Sequence, residues 1–124
     1  MKLAYTMAPG RGDTDALLFN VAKALRARGR KLAGTVQTNT ETAGQARCDM
    51  DVLVLPDGPV IRISQSLGTQ SRGCRLDPAA LEQAVAQAQA QVQAGAEIVL
   101  INKFGKHEAD GRGFRDVIAE ALAL

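Results

Sequence analysis

The chain has 124 residues, enough for one domain with a single modest core. Hydrophobic residues make up 46% and charged residues 23%, ordinary for a soluble globular protein. The formal net charge of +2 is too small to point by itself to nucleic acid or an acidic membrane surface, and one Tyr, three Phe and no Trp argue against a base-stacking surface for single strands.

The N-terminus enters Met1-Lys2-Leu3-Ala4-Tyr5 without a long apolar run behind a basic patch, so no signal peptide is expected. No segment approaches the roughly 20 apolar residues of a membrane span. A cytoplasmic protein is expected, with Cys48 and Cys74 reduced. The cysteines form no short-spaced metal motif, His107 is the single histidine, and no metal site is expected.

Residues 2–6 read as a short first strand. From Asp13 to Arg28 the apolar positions Leu17, Leu18, Val21 and Leu25 mark one helical face. Asp13 and Asp15 suit its first turn, Arg26 and Arg28 its last, and Gly29 its end. Leu32 to Gln37 reads as a second strand, followed by an exposed polar loop from Thr38 to Gln45. A hairpin comes next: Cys48 to Leu55, a turn at Pro56-Asp57-Gly58-Pro59, then Val60 to Ser64. Asp49 and Asp51 face one side of that hairpin, read as a solvated face in preference to a cation site. Ser66 to Arg75 is an irregular loop. Asp77-Pro78 starts a helix that runs to about Ala94 and stops at Gly95. Glu97 to Ile101 has the continuous apolar character of a buried parallel strand. A polar loop, residues 102–113, leads to an amphipathic helix carrying Phe114, Val117, Ile118, Ala121 and Leu122.

The order β-α-β-(hairpin)-α-β-α indicates an α/β domain with a partly parallel sheet. Ligands of such sheets bind at the carboxyl ends of the strands, where residues 7–14, 37–46 and 102–113 are expected to collect. The first of these loops, Met7-Ala8-Pro9-Gly10-Arg11-Gly12-Asp13-Thr14, lies between a strand and a helix, the setting of a phosphate-binding loop. Against the pattern G-x-x-x-x-G-K-[ST], Gly12 and Thr14 are kept, Met7 replaces the first glycine and Asp13 replaces the lysine.

The combination of Tyr5-Thr6-x-x-Pro9-Gly10-x-Gly12-x-Thr14, the hairpin, and Ala96 to Glu108 before a Gly-Phe-Arg helix resembles the small P-loop nucleoside triphosphatases. The stretches Arg47 to Asp51, Ser71 to Asp77 and Asn102-Lys103-Phe104-Gly105-Lys106 resemble more closely the bacterial domain-of-unknown-function 2478 family, related to those triphosphatases, along essentially the whole chain. The resemblance implies one degenerate P-loop-like α/β domain over residues 1–124: a three-layer sandwich with a partly parallel sheet and an inserted β-hairpin. It implies a nucleotide or small anion, with Mg²⁺ as the associated ion, near Pro9, Gly10, Arg11, Gly12, Asp13, Thr14, Asn102, Lys103 and Lys106. Asn102-Lys103 stands where the family's metal-organising and water-activating acids are expected.

Phosphoryl transfer rests on positioning and charge neutralisation, so these substitutions favour a non-hydrolysing or weakly active accessory protein over an active Mg²⁺-dependent nucleoside triphosphatase. Asp13 and Lys103 are expected either to pair across the vacated phosphate site or to remain solvated. A secondary candidate, for an oxyanion or metal, is Cys48, Arg72, Gly73, Cys74 and Arg75, set against buried structural cysteines. His107 is expected at the surface. A sheet lacking further strands exposes an edge, so a homo-oligomer or a partner-completed sheet is expected.

Overall fold

The computed structural model describes residues 2–10, 12–41, 48–65 and 75–124. Helix α1 (Asp13–Ala27) leads into strand β1 (Leu32–Glu41), then β2 (Cys48–Val54) and β3 (Val60–Arg62). Helix α2 (Pro78–Ala94), strand β4 (Ile98–Ile101), the short α3 (Lys106–Ala109) and α4 (Arg115–Ala123) follow. The sheet order is β3-β2-β1-β4. β1 is antiparallel to β2 and parallel to β4, so the sheet is mixed and carries the expected hairpin on one side.

Residue alternation along the strands divides the core between two faces. Leu32 and Val36 of β1 pack with Ala22 and Leu55, against Leu18, Phe19 and Leu25 of α1 and Ile98 and Leu100 of β4. The other face gathers Ala33, Val52, Val54, Ile61 and Ile63 with Leu81, Ala84, Val85, Ala88 and Val92 of α2 and Phe114, Val117 and Ala121 near α4. Helices therefore cover both sides of the sheet. β1 and β4 approach so closely that a Cβ on Gly34, whose φ is +104°, would overlap the Leu100 carbonyl. The start of α2 follows the residues directly: the Asp77 side chain accepts from the Ala79 and Ala80 amides at 3.1 and 3.3 Å, with Pro78 at the first helical position.

Three expectations change. Residues 2–8 form no strand; Leu3, Tyr5 and Met7 are 72%, 90% and 83% exposed. Alternating apolar residues favour a strand only where a neighbour accepts their hydrogen bonds and covers one face, and among the described residues this segment has neither. β1 continues through Thr38-Asn39-Thr40 to Glu41, because each of these residues finds a partner between Asp51 and Cys48 of β2. Pairing overrides the polar composition that suggested a loop. Finally, among the described residues β4 is an edge strand with all four residues half-buried, so its apolar run goes with the helical layers on either face and with one neighbouring strand.

Candidate functional site

The site grows from the junction of α1, β1 and β4. Asp15 lies in the first turn of α1 and is buried. Its Oδ1 accepts a 2.6 Å hydrogen bond from Asn102 Nδ2, just beyond β4. Asn102 Oδ1 accepts from the Gln37 amide of β1 at 3.1 Å. Gln37 Nε2 donates to Asn39 Oδ1 at 2.9 Å, and Asn39 Nδ2 reaches Asp15 Oδ2 at 3.4 Å. The side chains of Asp15, Gln37, Asn39 and Asn102, with the Gln37 backbone amide, close a ring of hydrogen bonds in which the buried Asp15 and Asn102 are satisfied. Lys103 Nζ stands 3.9 Å from Asp15 Oδ2 at the exposed side of this ring.

Lys103 therefore meets Asp15 and not Asp13. The cause is helical geometry: the first carboxylate of α1 belongs to an exposed residue, while the second, two positions on, turns inward over the sheet end. The Asp13 carboxylate instead lies over Gly10, where a Cβ would collide with it, and the Asp13 amide donates to the Gly10 carbonyl at 3.3 Å. Gly12 caps the helix with φ +81°, a left-handed conformation that suits glycine. Pro9, Gly10, Gly12 and Asp13 are exposed and Thr14 is half-buried. Asn102 is buried, and Lys103, Lys106 and Arg75 are exposed. Arg11, Arg72, Gly73 and Cys74 lie outside the described residues, as does the side chain of Cys48, whose backbone pairs with Glu41.

Two cavities flank the ring. One of about 280 Å³ is bordered by Gly12, Asp15, Phe19 and Asn39. The other, about 340 Å³, runs beneath the polar loop after β4. Met50, Val52, Ile63, Leu76, Leu81 and Phe114 form its apolar wall, and Gln37, Asn102, Lys103 and Lys106 its polar side. The second lies at the small end of the range for ligand sites and the first just below it.

Other titratable groups are committed elsewhere. Glu108 is buried, with Oε1 accepting from Gly105 N at 2.8 Å and Oε2 from Phe114 N at 3.1 Å. His107 is more enclosed than expected: its side chain is 11% exposed and its Nε2 is 3.0 Å from Glu82 Oε1, which also accepts from Gly113 N at 2.9 Å. Asp51 and Asp49 converge on Arg62 at 3.0 and 3.4 Å, which explains the acidic pair without a cation. The hydrogen bond that Arg62 donates to Asp51, then the two carboxylate charges, hold the Arg62 guanidinium above its ordinary pKa. Among the described residues no three His, Cys, Asp or Glu side chains are grouped to hold a metal. No described helix is long and apolar enough to cross a membrane.

The sequence pattern overlooked Asp15, Gln37 and Asn39. Asp15 reads as an ordinary first-turn acid, Gln37 as the end of a strand and Asn39 as part of the polar loop after it. Their proximity to Asn102 follows from β1 being long and parallel to β4, a tertiary fact.

The architecture is an α/β domain with a polar site at the carboxyl ends of parallel strands. Residues 3–124 match the family model described as protein of unknown function (DUF2478), and the chain belongs to that family. It is also similar to the molybdenum import ATP-binding protein ModC 2 of Bradyrhizobium diazoefficiens, with 36% identity over 111 residues. That match takes in 90% of this chain but 12% of the relative, so the chain spans about an eighth of the length of that protein. No solved structure matches the chain significantly.

Proposed function

We propose that the chain is an accessory domain that binds a nucleotide or other small anion without hydrolysing it, built on a nucleoside-triphosphatase-like scaffold. The observation that carries this reading is the ring around Asp15: the first turn of α1, where a P-loop would hold phosphate, is occupied by the protein's own buried carboxylate, bonded to Asn102. Asp13 stands where a lysine would grip the phosphates, and Asn102-Lys103 stands where acids would organise Mg²⁺. Charge neutralisation, on which phosphoryl transfer depends, is thereby removed from both sides. Lys103 and Lys106, exposed beside the larger cavity, supply the remaining positive charge for an anion. The ATP-binding protein among the relatives supports a nucleotide connection.

A second reading, an oxyanion site, is favoured by the same relative, whose printed name concerns molybdenum import. Molybdate is a compact tetrahedral anion, and a cavity of about 340 Å³ suits it better than a whole nucleotide. Arginine and backbone amides around residues 72–75 are a further candidate for such an anion, outside the described residues except for Arg75.

Calorimetric titration with ATP, GTP and molybdate, each with and without Mg²⁺, separates these readings. Micromolar binding of a nucleotide that weakens in Lys103→Ala/Lys106→Ala, with no phosphate released over hours, is the expected result. Binding of molybdate alone moves the function to the oxyanion reading. Mg²⁺-dependent phosphate release lost in the same double variant makes the protein an active triphosphatase and overturns the proposal.

A further inference from the structure

The cavity of about 340 Å³ under the loop after β4 joins two kinds of surface. Val52, Ile63, Leu81 and Phe114 are buried core residues, and each turns one side to this space beside the half-buried Met50 and Leu76. The volume is that of about eleven waters at roughly 30 Å³ each. Against such a wall water finds no hydrogen-bond partners, whereas an apolar body gains dispersion contacts along its whole length. The opposite side is polar, and most of it is committed. Asn102 donates to Asp15 and accepts from the Gln37 amide, and Gln37 Nε2 donates to Asn39. Both Glu108 oxygens accept backbone amides, and His107 Nε2 meets Glu82. Among the described residues, the charged groups left to a ligand are the ammoniums of Lys103 and Lys106 at the exposed rim. Lys103 stands 3.9 Å from Asp15 with its side chain 55% exposed, so it is free to turn toward the cavity.

We propose that this cavity binds a medium-chain aliphatic monocarboxylate, its chain along the apolar wall and its carboxylate at Lys103 and Lys106. The inference rests on the reading of these two lysines as an anion site and names the class of anion that enters the cavity. Three features select that class. The wall is aliphatic apart from Phe114, which suits a flexible hydrocarbon chain. The charge lies at one end only, so the ligand has one charged end. With His107 neutral, the lining carries two positive lysines against the one negative Glu108, a surplus that a single carboxylate matches. A nucleotide held at the same lysines keeps its base and ribose outside, because their polar edges find no partners on the apolar wall. Carboxylate and nucleotide therefore compete for the rim and not for the interior.

Titration of the full chain with butanoate, hexanoate and octanoate tests it, with inorganic phosphate as an anion lacking a chain and 1-hexanol as a chain lacking charge. Each buried methylene tightens binding about fourfold, so hexanoate is expected to bind at least about tenfold tighter than butanoate. It is also expected to bind at least about tenfold tighter than hexanol, and Lys103→Ala/Lys106→Ala should remove that advantage. Methyl NMR locates the ligand: the Met50 signal shifts on saturation, while that of Met7, 83% exposed and outside the cavity lining, stays. Leu76→Trp, which fills the cavity from a half-buried position, is expected to abolish hexanoate binding and leave phosphate binding unchanged. Should that variant fail to fold, the chain-length series and the Met50 shift decide alone. Phosphate binding at the lysines with no gain from butanoate to octanoate overturns this proposal and leaves the anion reading standing. No binding of any of these anions overturns both. Hexanol binding as tightly as hexanoate, or a Met50 signal unmoved at saturation, overturns the carboxylate site.

Discussion

Two buried carboxylates, Asp15 and Glu108, lie on either side of the loop that follows β4, and they are satisfied in different ways. Glu108 accepts from the backbone amides of Gly105 and Phe114, all within its own loop. Asp15 accepts from side chains, Asn102 and Asn39, drawn from two other elements, with Lys103 at the solvent edge. Backbone amides are part of the local fold and have nowhere else to go. Side-chain donors can turn away and be replaced. The first arrangement shapes a loop; the second ties together elements that are distant in sequence.

This contrast can be broken by substitution, and the largest effect belongs to the local acid. Glu108→Ala leaves the Gly105 and Phe114 amides without acceptors and opens space at Gly113, where the carboxylate lies against the backbone. A loss of about 3 kcal/mol in denaturant-measured stability is expected, on the basis of roughly 1–3 kcal/mol for the unsatisfied buried Phe114 amide and less for the more exposed Gly105 amide. A loss under about 1 kcal/mol would show that water replaces the carboxylate and that the two acids are alike.

Asn102→Asp comes next. It sets a second carboxylate at the 2.6 Å contact with Asp15 and removes the donor between them. We expect a cost of about 2–3 kcal/mol at neutral pH. Repulsion raises the folded pKa of the new pair above its unfolded value. The penalty is therefore present above the folded pKa and eases as pH falls through it, when a shared proton restores a hydrogen bond. Mg²⁺ is expected to relieve the penalty as well, seen as a rise in Tm that the unaltered protein lacks. Identical acid limbs for the two proteins would refute the closed-ring description of Asp15.

Asp77→Ala probes a third mode, a half-buried acid that caps a helix through the Ala79 and Ala80 amides. About 1 kcal/mol of stability should be lost, with anion binding unchanged in a titration. The smallest effect is expected at Glu97, whose carboxyl sits below the usual glutamate range because the Lys31 amide and then Arg30 bond to it. A depressed folded pKa means a contribution present above the unfolded value and lost as pH falls through the folded one. Glu97→Gln should lower stability slightly at neutral pH and leave it unchanged in acid, so that the acid limb of a stability–pH curve flattens a little.

How far these features could be read in advance depends on whether their causes are local. Asp77-Pro78 and Gly95 bound α2 as expected, since a cap, a fixed φ and a positive-φ glycine act within a few residues. The hairpin and α1 were legible for the same reason. β1 was not legible past Gln37: Thr38 to Glu41 are strand because Asp51 to Cys48 lie opposite, not because of their composition. The Asp15 ring was hidden for a related reason. Asn102 is 87 residues from Asp15, and the spacing of acids in one helical turn does not say which of them faces a distant strand. The expected partner of Lys103 was therefore displaced by two positions, onto the inward-facing acid.

The opposite margin of the sheet has a different character from β4. β3 has three residues, Val60, Ile61 and Arg62, preceded by Pro59 and followed by the single bridge from Ser64 to Leu76. So short a margin, bearing a charge beside a proline, gives an incoming chain almost no run of backbone to align with. Strand addition to this domain is thus one-sided. A second molecule added at the β4 margin would leave a pair with two blunted ends, and growth would stop at two instead of propagating into a fibre.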